Sequence, residues 1–353
     1  MAGIGVVLNP KSRRNLEDPD LALRLSRQLG DGGVVRAARS IEELRRIAEE
    51  FRTLNIDLLA IAGGDGTNHV TLTGFLDVYG DKPIPPVALL RGGTMNTVAN
   101  SVGVARRSSE RLLARLIADR ASTTNLGRGP QTTNLGPEGP QTTNLGREGP
   151  QTTNLGRAGL QIAERNVLRV TPQGAGAIHC GFLFGTGVVH GFLAEYYRGG
   201  SPTPLGAAAT LARGIVSAFV AGETIRRIAE PFHGSVLLED GTLWEERNYL
   251  SIAAGTIAHI GLEFKPFHRY ADQAGAFHAL GIYAPPSAFV RELPRVWRGL
   301  PMRPGCAREA LSSRMIVKSA AGPLKYMVDG DLHEAREVVS VSMGPRIRLV
   351  VVR

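Results

Sequence analysis

The chain has 353 residues, and its 41 Lys and Arg against 32 Asp and Glu leave a formal net charge of +9. That length holds two cores, and positive charge spread along the chain favours anionic partners (nucleotide, acidic lipid headgroup or nucleic acid) without choosing among them. The two cysteines, Cys180 and Cys306, belong to no CxxC or Cys/His pattern, which argues against a zinc site or a disulfide framework and fits a reducing cytosol.

In chain order, the apolar run Gly3 to Leu8 reads as a strand that turns at Asn9-Pro10-Lys11-Ser12. Leucines at helical spacing follow from Leu21 to Leu29. Ser40-Ile41-Glu42-Glu43 is a capping box for a helix through about Arg52, with Ile41, Leu44, Ile47, Ala48 and Phe51 on one face. The apolar run from Ile56 to Ala62 is a strand that breaks into Gly63-Gly64-Asp65-Gly66-Thr67, and a helix is expected from Thr67 to Val78. Val87 to Leu90 is again strand-like and ends in Arg91-Gly92-Gly93-Thr94-Met95-Asn96, and Ser109 to Asp119 closes the unit as a helix. This alternation predicts an α/β domain over residues 1–120 with a doubly wound parallel sheet. Its polar turns at Asn9, Gly63 and Gly92 would share the carboxyl edge, where ligands gather.

Thr-Thr-Asn-Leu-Gly then recurs at Thr123, Thr132, Thr142 and Thr152. A Gly/Pro/Thr-rich repeat of nine to ten residues is too poor in apolar residues for a solenoid, so residues 121–160 read as a disordered surface loop. Residues 161–353 are mainly β-like, with segments such as Val167 to Thr171, Ile178 to Phe184, Tyr249 to Ala253 and Tyr326 to Val328. The apolar helical stretch Pro204 to Val220 interrupts them. The expectation is an antiparallel β-sandwich with a long helix laid beside it, the last strand returning to the first domain. No run reaches the roughly 18 uncharged apolar residues of a membrane span, and Met1 to Asn9 does not read as a signal peptide.

Glycines at a strand end let unshielded backbone amides approach phosphate. Asp65 is suited to holding magnesium or polarising an attacking hydroxyl, Thr67 and Thr94 to donating to phosphate oxygens, and helix N-termini add partial positive charge. Asp329-Gly330 between two β-like runs is, on residue type, a hairpin turn. His69, His179, His190, His259, His268 and His278 show no metal-ligand spacing.

Gly63 to Thr67 with Gly74-Phe75, then Gly93-Thr94, Asn96, Ala99 and Gly103, with Asn9-Pro10 and Val328-Asp329-Gly330-Asp331, resemble the signatures of the diacylglycerol kinase catalytic-domain family. This family includes the sphingosine and ceramide kinases and bacterial lipid kinases. The resemblance implies an ATP-dependent lipid kinase using Mg2+, with Asn9, Gly63, Gly64, Asp65, Gly66, Thr67, Gly93, Thr94 and Asn96 around the nucleotide. It implies Asp65 and Asp331 at the metal, and Asp329 or Asp65 as the base that takes the lipid hydroxyl's proton. The second domain would hold a diacylglycerol, sphingoid-base or ceramide-like acceptor.

The implied setting is cytoplasmic and peripheral, at an anionic membrane surface reached through the arginine-rich exterior, without nucleic acid; a homodimer stays open. Val70 stands where the family has glutamate, and Thr97 where it often has aspartate. Two alternatives stay open beside this reading: an NAD kinase-like phosphotransferase, which shares the Gly-Gly-Asp-Gly-Thr loop, and a nucleotide- or lipid-binding protein that has lost catalysis.

Overall fold

The computed structural model describes residues 3–126, 152–154, 161–174, 177–198, 203–220 and 222–353. The first unit runs β1 (Ile4–Leu8), α1 (Arg13–Leu16), α2 (Leu21–Leu29), β2 (Gly33–Ala37), α3 (Ile41–Thr53), β3 (Leu58–Ala62), α4 (Asp65–Tyr79), β4 (Val87–Leu89), α5 (Thr97–Ser101) and α6 (Ser109–Leu126). The five residues of β1 and of β3 are all buried, which is why those strands show as unbroken apolar runs. Ser40 Oγ accepts the Glu43 N–H at 3.2 Å, and Leu44, Ile47, Ala48 and Phe51 form the buried face of α3. The edge strand β2 escaped the sequence reading because its residues are mostly half-buried and too few to show a period.

The parallel strands lie in the order β4-β3-β1-β2. The chain steps from β1 to β2 on one side and then crosses back past β1 to β3, so right-handed crossovers place α2 and α3 on opposite faces. Accordingly α2 packs with α6, and α3 with α4. The order reverses between β1 and β3, and that is where an open α/β sheet forms a crevice.

The second unit contains β5 (Thr152–Asn154), β6 (Gln161–Pro172), β7 (His179–Gly181), β8 (Leu183–Thr186), α7 (Val188–Arg198), α8 (Pro204–Val220), α9 (Glu223–Ile228), β9 (Phe232–Leu238), β10 (Leu243–Tyr249), β11 (Ser251–Gly255), β12 (Phe277–Ile282), α10 (Pro286–Trp297), β13 (Ala307–Ser312), β14 (Arg314–Ser319), β15 (Leu324–Val328), β16 (Asp331–Ala335) and β17 (Val338–Val351). Two sheets face each other across a core that includes Val170, Val236, Val317 and Val339 from one and Phe184, Ile252, Phe277 and Tyr326 from the other. The smaller sheet has the order β13-β12-β11-β8-β15-β16.

The larger sheet is shared by both units. The first part of β17 runs antiparallel to β6 and β14, while Leu349 and Val350 pair in parallel with Val87 and Ala88 of β4. Val338–Val351 is one strand with a register shift between Met343 and Arg346.

The ends of the 121–160 segment depart from the expected disorder. The first Thr-Thr-Asn-Leu copy continues α6 to Leu126, and Thr152–Asn154 pairs with β6. The central copies lie outside the described residues. The four helices α7 to α10, of which only α8 was expected, pack on one another beside the crevice.

Candidate active site

The carboxyl ends of β1, β3 and β4 bring the three polar turns into contact. Asn9 Nδ2 donates to Thr67 Oγ1 at 3.1 Å, and Asn15 Nδ2 ties the Asn9 carbonyl at 2.7 Å to that of Ala62 at 3.0 Å. The two glycine loops touch backbone to backbone: a Cβ at Gly93 would stand 2.2 Å from Gly64 Cα, and one at Gly92 would stand 2.9 Å from Gly63 Cα. Only glycine permits that approach.

Asp65 joins the two loops. Its carboxylate accepts the Thr97 N–H at 2.9 Å and the Val98 N–H at 3.2 Å, capping α5 from outside its own segment. Burial raises its pKa, against the lowering effect of those two N–H groups. Asn96 is spent on the loop itself: it adopts a left-handed φ of 50°, accepts from Gly93 N and donates to Gly93 O. Its side-chain contacts therefore brace both backbone polar groups of Gly93.

Asp329 and Gly330, with φ of 46° and 95°, form the two-residue turn joining β15 to β16. The same aspartate is 2% exposed, and its carboxylate accepts the N–H groups of Phe182 and Leu183, each at 2.9 Å. Phe182 is where the chain passes from the larger sheet to the smaller one, so Asp329 is pinned at the junction of the two. Burial raises its pKa well above the ordinary carboxyl value, and the charges of Asp65 and Asp331 add to the rise.

Asp331 reaches the glycine loop from the other unit; a Cβ at Gly66 would stand 2.5 Å from its Oδ1. Burial and the Asp65 charge push it up to about 6. Among the described residues it has no hydrogen-bond or ion-pair partner. A half-buried carboxylate raised by burial and by a neighbouring one offers oxygen donors of the kind that suit magnesium. Asp331, with Asp65 beside it, therefore fits the metal.

A cavity of about 580 Å³ extends from these residues. Its near end is polar, with Asn9, Asp65, Thr67, Thr94, Asp329 and Asp331. Its far end is walled by apolar side chains of α7 to α10, among them Phe192, Leu211, Ile215, Ile228 and Phe289. A second cavity, of about 780 Å³, lies against the other side of Thr94 to Thr97 and is lined by Arg14, Arg91, Arg106, Arg107 and Arg111.

Residues 3–128 match the family described as the diacylglycerol kinase catalytic domain. Over 99 residues it is 35% identical to the probable lipid kinase YegS of Shigella flexneri and to that of Escherichia coli O157:H7, a stretch covering 28% of this chain and 32% of each relative. The chain thus aligns with about a third of the length of those curated relatives. A solved diacylglycerol kinase structure from Bacillus anthracis str. Sterne superposes on 99% of this chain and 96% of its own, with a TM-score of 0.58 at 12% identity, and a second structure from that organism gives 0.62. The likeness shows a shared fold over both units.

Sequence reasoning missed the arginine-lined cavity, because its residues are scattered along the first unit from 14 to 111. It also missed Tyr197 of α7, whose hydroxyl donates to Gly330 O at 2.8 Å and fastens the Asp329 turn to the apolar wall. An aromatic residue within an ordinary amphipathic helix carries no signal of such a contact.

Proposed function

We propose that the protein is an ATP-dependent lipid kinase that transfers the γ-phosphoryl group to a lipid hydroxyl. The observation that carries this is one continuous cavity with three carboxylates and two glycine loops at one end and an apolar chamber at the other. A polar, charged acceptor such as NAD has nothing to match the apolar far end. A lipid places its hydroxyl at the polar boundary and its chains among Phe192, Leu211 and Ile215.

The arginine cavity takes the nucleotide, and the Gly63–Thr67 and Gly93–Thr94 loops hold the phosphates that pass between the two cavities. Phosphoryl transfer needs alignment and charge neutralisation above all. Asp331 and Asp65 would hold magnesium, which would supply positive charge against the phosphates. Asp329, raised by burial and standing beside Leu183 of the apolar wall, accepts the hydroxyl proton. The acceptor oxygen bonds to the γ-phosphorus, the bond to the β–γ bridging oxygen breaks, and ADP leaves with that electron pair. Asp65 acts as the positioning residue that keeps both loops in register.

Among the described residues no helix is long and apolar enough to cross a membrane. Substrate is reached from the surface instead. Helix α8 turns Ala207, Leu211 and Ile215 to the cavity while Val216, Phe219 and Val220 are 65%, 56% and 72% exposed. That exposed apolar edge, continuous with the chamber, seats in the bilayer interface, with the basic surface adding about 1 kcal/mol per favourable charge on anionic lipid.

The test is incubation with labelled ATP and a lipid extract, followed by phase partition. Label in the organic phase that disappears in Asp329→Asn supports the reading. Label found only in the aqueous phase when NAD is offered overturns it.

A further inference from the structure

Two of the histidines that show no metal-ligand spacing in sequence, His69 and His179, meet a third, His333, in space. His69 of α4, His179 of β7 and His333 of β16 each present a ring nitrogen, and the three nitrogens lie within 4.8 Å of one another. The rings of His179 and His333 have centroids 4.0 Å apart, with His69 at 5.5 and 5.6 Å from them.

We propose that His69, His179 and His333 form a three-imidazole site for a borderline divalent cation, zinc foremost, at the seam between the two units.

Three features point to a ligand and not to ordinary packing. His69 is 1% exposed and its Nδ1 lies 2.8 Å from the Cys180 carbonyl, so that the ring donates there and turns Nε2 outward. A metal-ligating imidazole is commonly fixed by such a bond from its other nitrogen. His333 Nε2 is buried and has no hydrogen-bond partner, a state with a desolvation penalty that coordination removes. Burial also keeps the three rings neutral, with His69 lowered to about 3 and His333 to about 4, and a neutral imidazole is the form that binds metal.

Tetrahedral zinc with Zn–N of about 2.0–2.1 Å separates its nitrogens by roughly 3.3–3.4 Å, so nitrogens within 4.8 Å of one another close by up to about 1.5 Å on binding. Three nitrogens leave the fourth position to water or an outside ligand.

The placement gives the ion a further role. His69 is one helical turn after Asp65 on α4, and His333 is two residues after Asp331 on β16, on the same strand face. A cation held by both therefore sets how closely the Asp65 loop and Asp331 approach. This second role rests on the proposed kinase site; the binding itself does not.

The full chain, stripped with chelator, is titrated with Zn2+ and Co2+. The expected result is one equivalent bound, a tetrahedral cobalt(II) ligand-field spectrum and a raised Tm. All three responses are lost in His333→Phe, and binding is weakened at least tenfold in His179→Gln, two variants checked by circular dichroism for intact folding. Failure of wild type to bind stoichiometrically overturns the site, as does binding that persists unchanged in either folded variant. A site that binds zinc while labelled lipid never forms leaves the cation site standing and overturns the kinase reading alone.

Discussion

Gly66 and Asp331 meet across the seam between the two units, with no room for even a methyl group: a Cβ on residue 66 would lie 2.5 Å from the Asp331 carboxylate. One residue opens the helix after the phosphate loop and the other opens a strand of the smaller sheet. Their contact joins the first unit to the carboxylates of the β-rich unit.

Gly66→Ala isolates that contact. Residue 66 lies in the first turn of α4 without a positive φ, so alanine is acceptable to the backbone and even favours the helix. The expected outcome is a Tm within about 3 °C of wild type, with turnover down about tenfold or more, roughly 1.4 kcal/mol of barrier. Steady-state kinetics beside thermal melts check it. Unchanged turnover shows that Asp331 has no part in the reaction.

Gly93→Ala strikes the loop-to-loop contact. Its Cβ would sit 2.2 Å from Gly64 Cα, where only backbone can give way. A loss of about 1–3 kcal/mol is expected from overpacking, together with weaker nucleotide binding. Gly32→Ala serves as the control, since nothing lies within 4 Å of its Cβ position. Denaturant unfolding and nucleotide titration of the two variants make the comparison, and equal behaviour contradicts the packed geometry.

Asp329→Asn should inactivate the protein and yet stabilise it at neutral pH. The folded pKa of Asp329 is raised by burial first and by Asp65 and Asp331 next. Between the ordinary carboxyl value and that raised one, the folded state holds a proton that the unfolded state has released. Wild-type stability therefore falls as pH rises through this window. Asparagine keeps an oxygen for the Phe182 and Leu183 N–H groups and never ionises. Melts at pH 4 and pH 7.5 should show a Tm advantage for the variant only at the higher pH, about 2–4 °C per kcal/mol. For wild type, kcat/KM should rise with pH as Asp329 deprotonates. A variant less stable than wild type at pH 7.5 contradicts the assignment.

Phe219→Ser with Val220→Ser should leave the fold intact, because both side chains are more than half exposed. Vesicle binding should weaken by about tenfold or more, since each side chain loses apolar area from the interface. Cosedimentation with neutral and anionic vesicles separates this effect from charge: the loss should appear on both. Binding unchanged on neutral vesicles removes α8 from the docking surface.

What the amino-acid sequence determined by itself is local and periodic. Fully buried β1 and β3 appear as apolar runs, Ser40 and Glu43 announce α3, and the glycines at 63–66 and 92–93 mark the places where backbone must approach something closely. Asp329-Gly330 is legible as a hairpin turn because a two-residue turn of that hand requires positive φ at both positions. The helices α7, α9 and α10 went unread: α9 has six residues, too few to show a period, and Pro294 inside α10 masks its helical pattern.

The tertiary structure decided what those local pieces touch. That Asp65 caps α5, that Asp331 faces Gly66, and that His69, His179 and His333 converge are contacts between residues far apart in the chain. The return of β17 to pair with β4 closes the two units onto one another. Such contacts leave no period and no motif. They are set by how the sheets stack and where the crossovers run, so the same carboxylates and imidazoles become a site only when two cores pack against each other.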